Sequence, residues 1–355
     1  MSKFCSALAI ACGDPAGIGL EVILKTLADP DFDQYPAPTL FGSRSLLLAT
    51  YERLQEAGIV ACHPDRLTVV EVPLPGAVLE NIRLGEGNRA SGEASFAYLS
   101  ASITATLAGQ FRGIVTAPIA KTAWRQAGYD FAGQTEVLAQ RTGAPSVAMA
   151  FVGRSPYTGW ILRTLLATTH IPLAQVSSQL NAELLEAKLS LLLNFLKSDC
   201  GISQPIVAIA GLNPHSGEAG QLGQEEQAWL IPWLNQARTR YPQAQLLGPI
   251  PPDTLWVQAG QAWFRQIPTL IPHAYLALYH DQGLIPVKLM AFDQAVNTTL
   301  GLPFVRTSPD HGTAFDIAGQ GRARPDSFKA ALSWAQSLTD GGMEEKGKTQ
   351  NRVGG

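Results

Sequence analysis

The chain has 355 residues, 46% apolar and 15% charged, with a formal net charge of -3, a balance that builds a sizeable core and excludes both a disordered chain and the basic footprint of a nucleic-acid binder. No basic amphipathic stretch, no window of transmembrane length and no long apolar leader points to a membrane or to export. The four cysteines (Cys5, Cys12, Cys62, Cys200) are scattered without a CxxC pair and read as reduced thiols, so a cytoplasmic protein is expected.

Short apolar runs alternate with helical patterns along most of the chain, the signature of an α/β protein with a mainly parallel sheet. A strand over 7–12 breaks at Gly13-Asp-Pro-Ala-Gly-Ile-Gly19 and enters a helix over 21–27. Backbone N–H groups in such a loop can cradle a phosphate; equally, the loop can be a tight turn that starts a helix. It is not GxGxxG and no GK[ST] follows, so neither dinucleotide nor P-loop fingerprints apply. Further strands are predicted at 36–42, 67–72 and 113–117, and helices at 43–57 and 91–108, with 73–90 a long surface connection. Runs at 146–152 and 158–164, separated by Gly153-Arg-Ser-Pro156, predict an antiparallel hairpin. A helix over 181–197 follows, then strands at 206–210, 245–247, 274–278 and 295–299. The predicted organisation is two α/β lobes, 1–124 with 301–338 and 125–300, the second carrying dimer contacts, followed by a disordered tail at 339–355.

The chemistry clusters at strand ends. The run Ala274-Tyr-Leu-Ala-Leu278 leads into Tyr279-His-Asp-Gln-Gly283 and on to Lys288, placing an imidazole, a carboxylate, a turn glycine and a lysine where an open α/β sheet puts its ligand. His170 follows another strand-like run, and His215 lies in Gly211-Leu-Asn-Pro-His-Ser-Gly217. Neutral imidazole is the commonest protein ligand for zinc and related ions, so His170, His215 and His280 are candidate ligands of one divalent metal. The spacing is long-range, and a lone histidine at a strand end is more often a hydrogen-bonding residue. His63 reads as solvated and His273 as structural. Lys288, Asn297 and Arg306 offer donors for a carboxylate or phosphate, or else an ordinary surface of snorkelling cations. Asp310-His-Gly-Thr-Ala-Phe-Asp-Ile-Ala-Gly319 is a turn entering a short helix, with small residues that let a ligand approach the backbone.

Taken together, these segments resemble the PdxA family of 4-hydroxythreonine-4-phosphate dehydrogenases of pyridoxal phosphate biosynthesis. The resemblance is carried in order, over about residues 7–335, by Gly13-Asp-Pro-Ala-Gly-Ile-Gly19, Thr116-Ala-Pro118 with Lys121, Gly133-Gln-Thr-Glu136, Gly211-Leu-Asn-Pro-His-Ser-Gly-Glu218, Tyr279-His-Asp-Gln-Gly283 and Val296-Asn-Thr-Thr-Leu-Gly-Leu-Pro303. The 310–319 segment is similar to the cofactor loop of isopropylmalate and isocitrate dehydrogenases. The resemblance implies a two-lobed α/β/α fold, isopropylmalate dehydrogenase-like, with mainly parallel sheets and an antiparallel element. It implies that His170, His215 and His280 bind zinc, magnesium or cobalt, and that Gln134, Thr135, Lys288, Asn297 and Arg306 bind substrate. It also implies Lys288 or Asp281 as the catalytic base, NAD or NADP at His311, Gly312 and Asp316, and a homodimer with its active site at the subunit interface. Gln134 stands where the family commonly has histidine; glutamine donates a neutral hydrogen bond but cannot become cationic. The expected reaction is oxidation and decarboxylation of 4-phosphooxy-L-threonine. The nearest rival is a paralogue that oxidises a 4-phosphorylated sugar acid such as 4-phosphothreonate or 4-phosphoerythronate. A phosphate-ester hydrolase or acyl-phosphate transferase using the same histidines would need no nicotinamide. A non-catalytic phosphometabolite binder would require a degraded site, and every matched metal, Lys, Asn and Arg position is intact.

Overall fold

The structure is a computed structural model that describes residues 8–265 and 271–340. Its strands are β1 (Leu8–Ala11), β2 (Thr39–Gly42), β3 (Thr68–Glu71), β4 (Gly113–Thr116), β5 (Ala148–Arg154), β6 (Ile161–Leu166), β7 (Ile206–Ala210), β8 (Gln245–Ile250), β9 (Ala274–Ala277), β10 (Val296–Leu300) and β11 (Val305–Pro309). They form one eleven-stranded sheet in the order β3-β2-β1-β4-β11-β10-β5-β6-β9-β7-β8. Both arms are parallel, while the β11–β10–β5–β6 centre is antiparallel. Connection length accounts for the change. β5 to β6 and β10 to β11 are joined by short connections that permit only antiparallel neighbours, whereas the parallel pairs need longer crossovers. This is the mainly parallel α/β architecture with an antiparallel element that the sequence predicts, built as one continuous sheet.

Two hydrophobic clusters flank that centre. One gathers β1, β2 and β4 with Tyr98, Trp124 and Phe328, and Val137 and Leu138 belong to it as well. The other gathers β6, β7 and β9 with Leu185, Trp233 and Trp263. Each large apolar side chain taken out of water contributes about 1.5–3 kcal/mol. The two longest helices are opened by asparagine caps. Asn88 Oδ1 accepts the Ser91 N–H at 3.0 Å while Ser91 Oγ accepts the Asn88 N–H at 3.1 Å, opening the helix Arg89–Leu107. Asn181 likewise accepts the Leu184 N–H at 2.8 Å to open Ala182–Ser198, which buries Leu185, Leu189, Leu192 and Leu196 along one face.

Several local expectations change. The segment 73–90 contains a short helix, Gly76–Asn81. β11 was not legible, because Val-Arg-Thr-Ser-Pro lacks an apolar alternation although Arg306, Thr307 and Ser308 are buried. The stretch after β9, expected as a turn at Gly283, is the helix His280–Ala291. His63 caps a turn by accepting the Asp65 N–H on Nδ1 at 3.1 Å. His273 Nδ1 accepts the Ile206 N–H at 2.9 Å, the structural role read for it. Cys12, Cys62 and Cys200 are buried, and Cys5 lies outside the described residues. Of the expected tail, residue 339 closes the helix Asp326–Thr339, and 341–355 lie outside the described residues. Among the described residues no helix is long and apolar enough to cross a membrane.

Candidate active site

Thr116 at the end of β4, Met149 on β5, Asn297 on β10 and Arg306 on β11 border a cavity of about 300 Å³. Gln134 and Thr135 close one side of it, at the start of the helix Gln134–Thr142. Through Met149, His170 and Asn297 the cavity adjoins a wider concavity of about 690 Å³, which Asp281, Lys288 and His280 line.

Arg306 is 3% exposed and pinned across the sheet: Nη1 donates to Thr299 Oγ1 at 3.0 Å and Nη2 to Thr116 Oγ1 at 2.8 Å. Its Nε has no partner. Burial pulls the guanidinium down to about 10, with the nearby Glu136 charge opposing, so it stays cationic at neutral pH. A buried cation held only by hydroxyls calls for an anion. Asn297 Oδ1 is also buried without a partner. Gln134 Nε2 donates to Ala117 O at 3.1 Å, and the side chain still borders the cavity. The Lys288 ammonium pairs with the Asp310 carboxylate and donates to Asp310 O at 3.3 Å. Gln134, Thr135, Asn297 and Arg306 are thus brought to one cavity, and Lys288 to the adjoining one.

The histidines divide differently. The rings of His170 and His280 stand 5.5 Å apart, centroid to centroid. His280 Nδ1 meets Asp281 Oδ1 at 2.7 Å, the carboxylate–imidazole arrangement that orients a metal-binding ring and leaves Nε2 open. Loss of water around His170, then the charges of Lys121 and His280, lower its pKa and favour the neutral imidazole that metals bind. His215 is exposed and faces Glu218 at 3.7 Å. Its loop runs through six successive residues of positive φ, His215 to Gly220. The buried Glu226 anchors this turn, Oε1 accepting the Leu212 and Asn213 N–H groups at 2.8 Å each. Backbone strain of this kind persists only where surrounding contacts impose it. Among the described residues no group of three or more His, Cys, Asp or Glu side chains could hold a metal ion. The three-histidine site is therefore not assembled among the described residues of one chain; His170 and His280 supply two of its three expected ligands, and His215 is not brought to them.

At the other end of the cavity lies the 310–319 loop. His311 Nε2 is buried without a partner while Nδ1 meets Gly312 O at 3.0 Å. Burial lowers the His311 pKa against the Gly312 and Asp310 contacts. An orphaned ring nitrogen beside the exposed backbone of Gly312 fits a cofactor that offers a hydrogen-bond partner. Asp316 is exposed, on the turn Phe315–Ile317. The first glycine loop serves this one. Ile18 N–H donates to Thr313 O at 3.0 Å, and a Cβ on Gly17 would stand 2.7 Å from that oxygen. The glycine at 17 thus lets the two loops touch, which favours the turn reading over the phosphate cradle.

Lys188 was missed by the sequence reading. It sits on the helix Ala182–Ser198 between Leu185 and Leu189 and borders the cavity. A lysine inside an apolar helical stripe was the available signal.

Residues 34–335 match the family described as pyridoxal phosphate biosynthetic protein PdxA. The chain is 62% identical over 335 residues to a 4-hydroxythreonine-4-phosphate dehydrogenase of Synechocystis sp., covering 94% of this chain and 95% of that one. It is 57% identical over 341 residues to the enzyme of that name from Nostoc sp., covering 95% and 94%. A solved 4-hydroxythreonine-4-phosphate dehydrogenase of Klebsiella pneumoniae superposes with a TM-score of 0.79 at 32% identity, covering 94% and 100%. With likeness of this depth running through nearly the whole length, the chain belongs to the PdxA family.

Proposed function

We propose that this chain oxidises 4-hydroxythreonine 4-phosphate with a nicotinamide cofactor. The product then loses carbon dioxide to give 3-amino-2-oxopropyl phosphate for pyridoxal phosphate biosynthesis. The observation that carries the reading is continuity. Neighbouring cavities that share His170 and Asn297 join the anion-binding cluster around Arg306 to the His170–His280 pair and to the loop at His311.

When bound, the nicotinamide (NAD or NADP) takes up hydride, and a divalent ion at the histidines (zinc, magnesium or cobalt) lowers the pKa of the substrate hydroxyl. The rest falls to the chain's own residues. Arg306, Asn297, Gln134 and Thr135 bind and orient the substrate, with the unpartnered Arg306 Nε and Asn297 Oδ1 supporting that role. Asp281 is engaged with His280 Nδ1, which favours it as the group that orients the ring. Lys288 is then the favoured base: once its ammonium proton has passed to Asp310, whose carboxyl is raised by burial although Lys288 pulls the other way, the free amine takes the proton of the substrate hydroxyl. His311, Gly312 and Asp316 would hold the cofactor.

The exposed loop at His215 and the apolar stripe Ile285, Leu289 and Phe292 beside His280 support a homodimer in which a second copy completes the site. The two lobes expected at 1–124 with 301–338 and at 125–300 are better divided after the helix Gln134–Thr142, because its Val137 and Leu138 pack in the first cluster. Buried thiols at Cys12, Cys62 and Cys200 support a cytoplasmic setting.

The test is NADH formation from 4-hydroxythreonine 4-phosphate with and without EDTA. Turnover abolished by chelation and restored by a divalent ion is expected. Activity on 4-phosphothreonate alone would move the substrate to the sugar-acid paralogue. Turnover without nicotinamide would end the dehydrogenase reading.

A further inference from the structure

Lys188 occupies an unusual position for a cation. Lysines beside an apolar helical stripe ordinarily run their stems outward and leave the ammonium in water. This one is half-buried and donates to Val147 O at 2.8 Å on the wall of the cavity. A lysine ammonium has three donors, and that carbonyl uses one. No ion pair to a carboxylate neutralises it among the described residues. Burial lowers its pKa, as expected of an ammonium without a counter-charge.

Two independent features share the cavity with it. The helix Gln134–Thr142 presents its N-terminus there, and the N-cap Gly133 supplies no side-chain cap, so first-turn N–H groups are available to an outside acceptor. Arg306, 3% exposed and with its Nε unpartnered, borders the same space. Gln134 adds a neutral amide, and the lining carboxylate, Glu136, is exposed. The exposed Lys121 lines the cavity too and its charge offsets that of Glu136, so the two inward-held cations and a helix N-terminus match a phosphate monoester, which carries close to two negative charges at neutral pH. A carboxylate would leave one cation unmatched.

We propose that Lys188 is a specificity-determining ligand of the substrate, forming the phosphate pocket with Arg306 and the N-terminus of the helix Gln134–Thr142. The proposal rests on the reading above that the substrate is a phosphate ester. A contact made equally in ground and transition states acts on KM and spares kcat.

The experiment uses Lys188→Met, which keeps the apolar stem, with Lys188→Arg as the conservative partner. Inorganic phosphate is titrated into the full-length proteins by phosphorus NMR, and the same proteins are assayed with 4-hydroxythreonine 4-phosphate. Lys188→Met is expected to weaken phosphate binding and raise KM by about tenfold or more, with kcat held within about threefold. Lys188→Arg should recover most of both. A second measurement needs no variant: phosphate should slow acylation of Lys188 in the wild-type chain, mapped by mass spectrometry. Unchanged phosphate affinity in a Lys188→Met protein with an unaltered melting curve overturns the proposal. So does an acylation rate indifferent to phosphate, or a loss of kcat at constant KM. Lys188-dependent phosphate binding in a chain that does not turn over the ester would uphold the pocket and overturn the substrate reading instead.

Discussion

Asp14 shows how far one residue's surroundings outweigh its intrinsic chemistry. It is fully buried beneath the first glycine loop, accepting the Ala16 N–H at 2.9 Å and the Ser91 hydroxyl at 3.2 Å. Burial pushes its carboxyl up to about 6, against those two hydrogen bonds. The folded chain therefore holds this proton more tightly than the unfolded chain, whose value is 3.8. Its contribution to stability is full below pH 4 and is lost as pH rises through 6. That loss amounts to about 3 kcal/mol. Urea unfolding of Asp14→Asn across this range should show a flatter pH dependence than wild type; an identical slope would refute the assignment. Residue types were legible in the sequence where their partners were not. His170 and His280 meet because β6 pairs with β9 in a register that sets Leu166 beside Ala277, just before each histidine. No local spacing encodes that register. Lys188 was hidden for a related reason: composition records a lysine, and only packing records where its ammonium goes.

The helix His280–Ala291 carries the argument at the level of elements. Gly283 and Pro286 both disfavour a helix interior, and Gly283 after the apolar run 274–278 reads as a turn at a strand end. Packing reverses the preference. A Cβ at Gly283 would stand 2.5 Å from Leu166 Cδ2 and 3.0 Å from Ala277 Cβ, so the helix lies on β6 and β9 at a separation that glycine permits. Gln282 fastens it, Oε1 accepting the Leu278 N–H at 2.7 Å and Nε2 donating to Gly211 O at 2.8 Å. Gly283→Ala should cost about 1–3 kcal/mol through overpacking. Equilibrium unfolding checks this, and an unchanged midpoint would mean the helix has room to spare. β11 escaped detection for the opposite reason. Its buried side chains are polar: Arg306 donates to Thr299 and Thr116 across the sheet while its Nε stays open, and Thr307 donates to Ala331 O on the helix Asp326–Thr339, and hydrophobic periodicity does not register such a strand.

For the whole molecule, alternation of strand and helix was readable because each element is a local pattern. The order of strands was not, because neighbours in the sheet come from opposite ends of the chain. Ile285, Leu289 and Phe292 are 58%, 80% and 68% exposed on one helix beside His280, a placement that a second copy would cover. Leu289→Glu should convert a sedimenting dimer to monomer and lose activity with it. A fully active wild-type monomer would dispose of the shared site. The continuous sheet also bears on how the protein is made. β4 pairs with β11, residues 113–115 against 305–307, and Phe328 and Leu332 fill the core beneath. A ribosome must therefore translate residues 117–304 before β4 gains its second neighbour. The amino-terminal segment is then no independent unit during synthesis but a client awaiting the carboxy-terminal strands, with its edge open to proteases and chaperones. Nascent chains stalled at residue 295 should be cut rapidly within the amino-terminal segment, and release of the full chain should restore resistance.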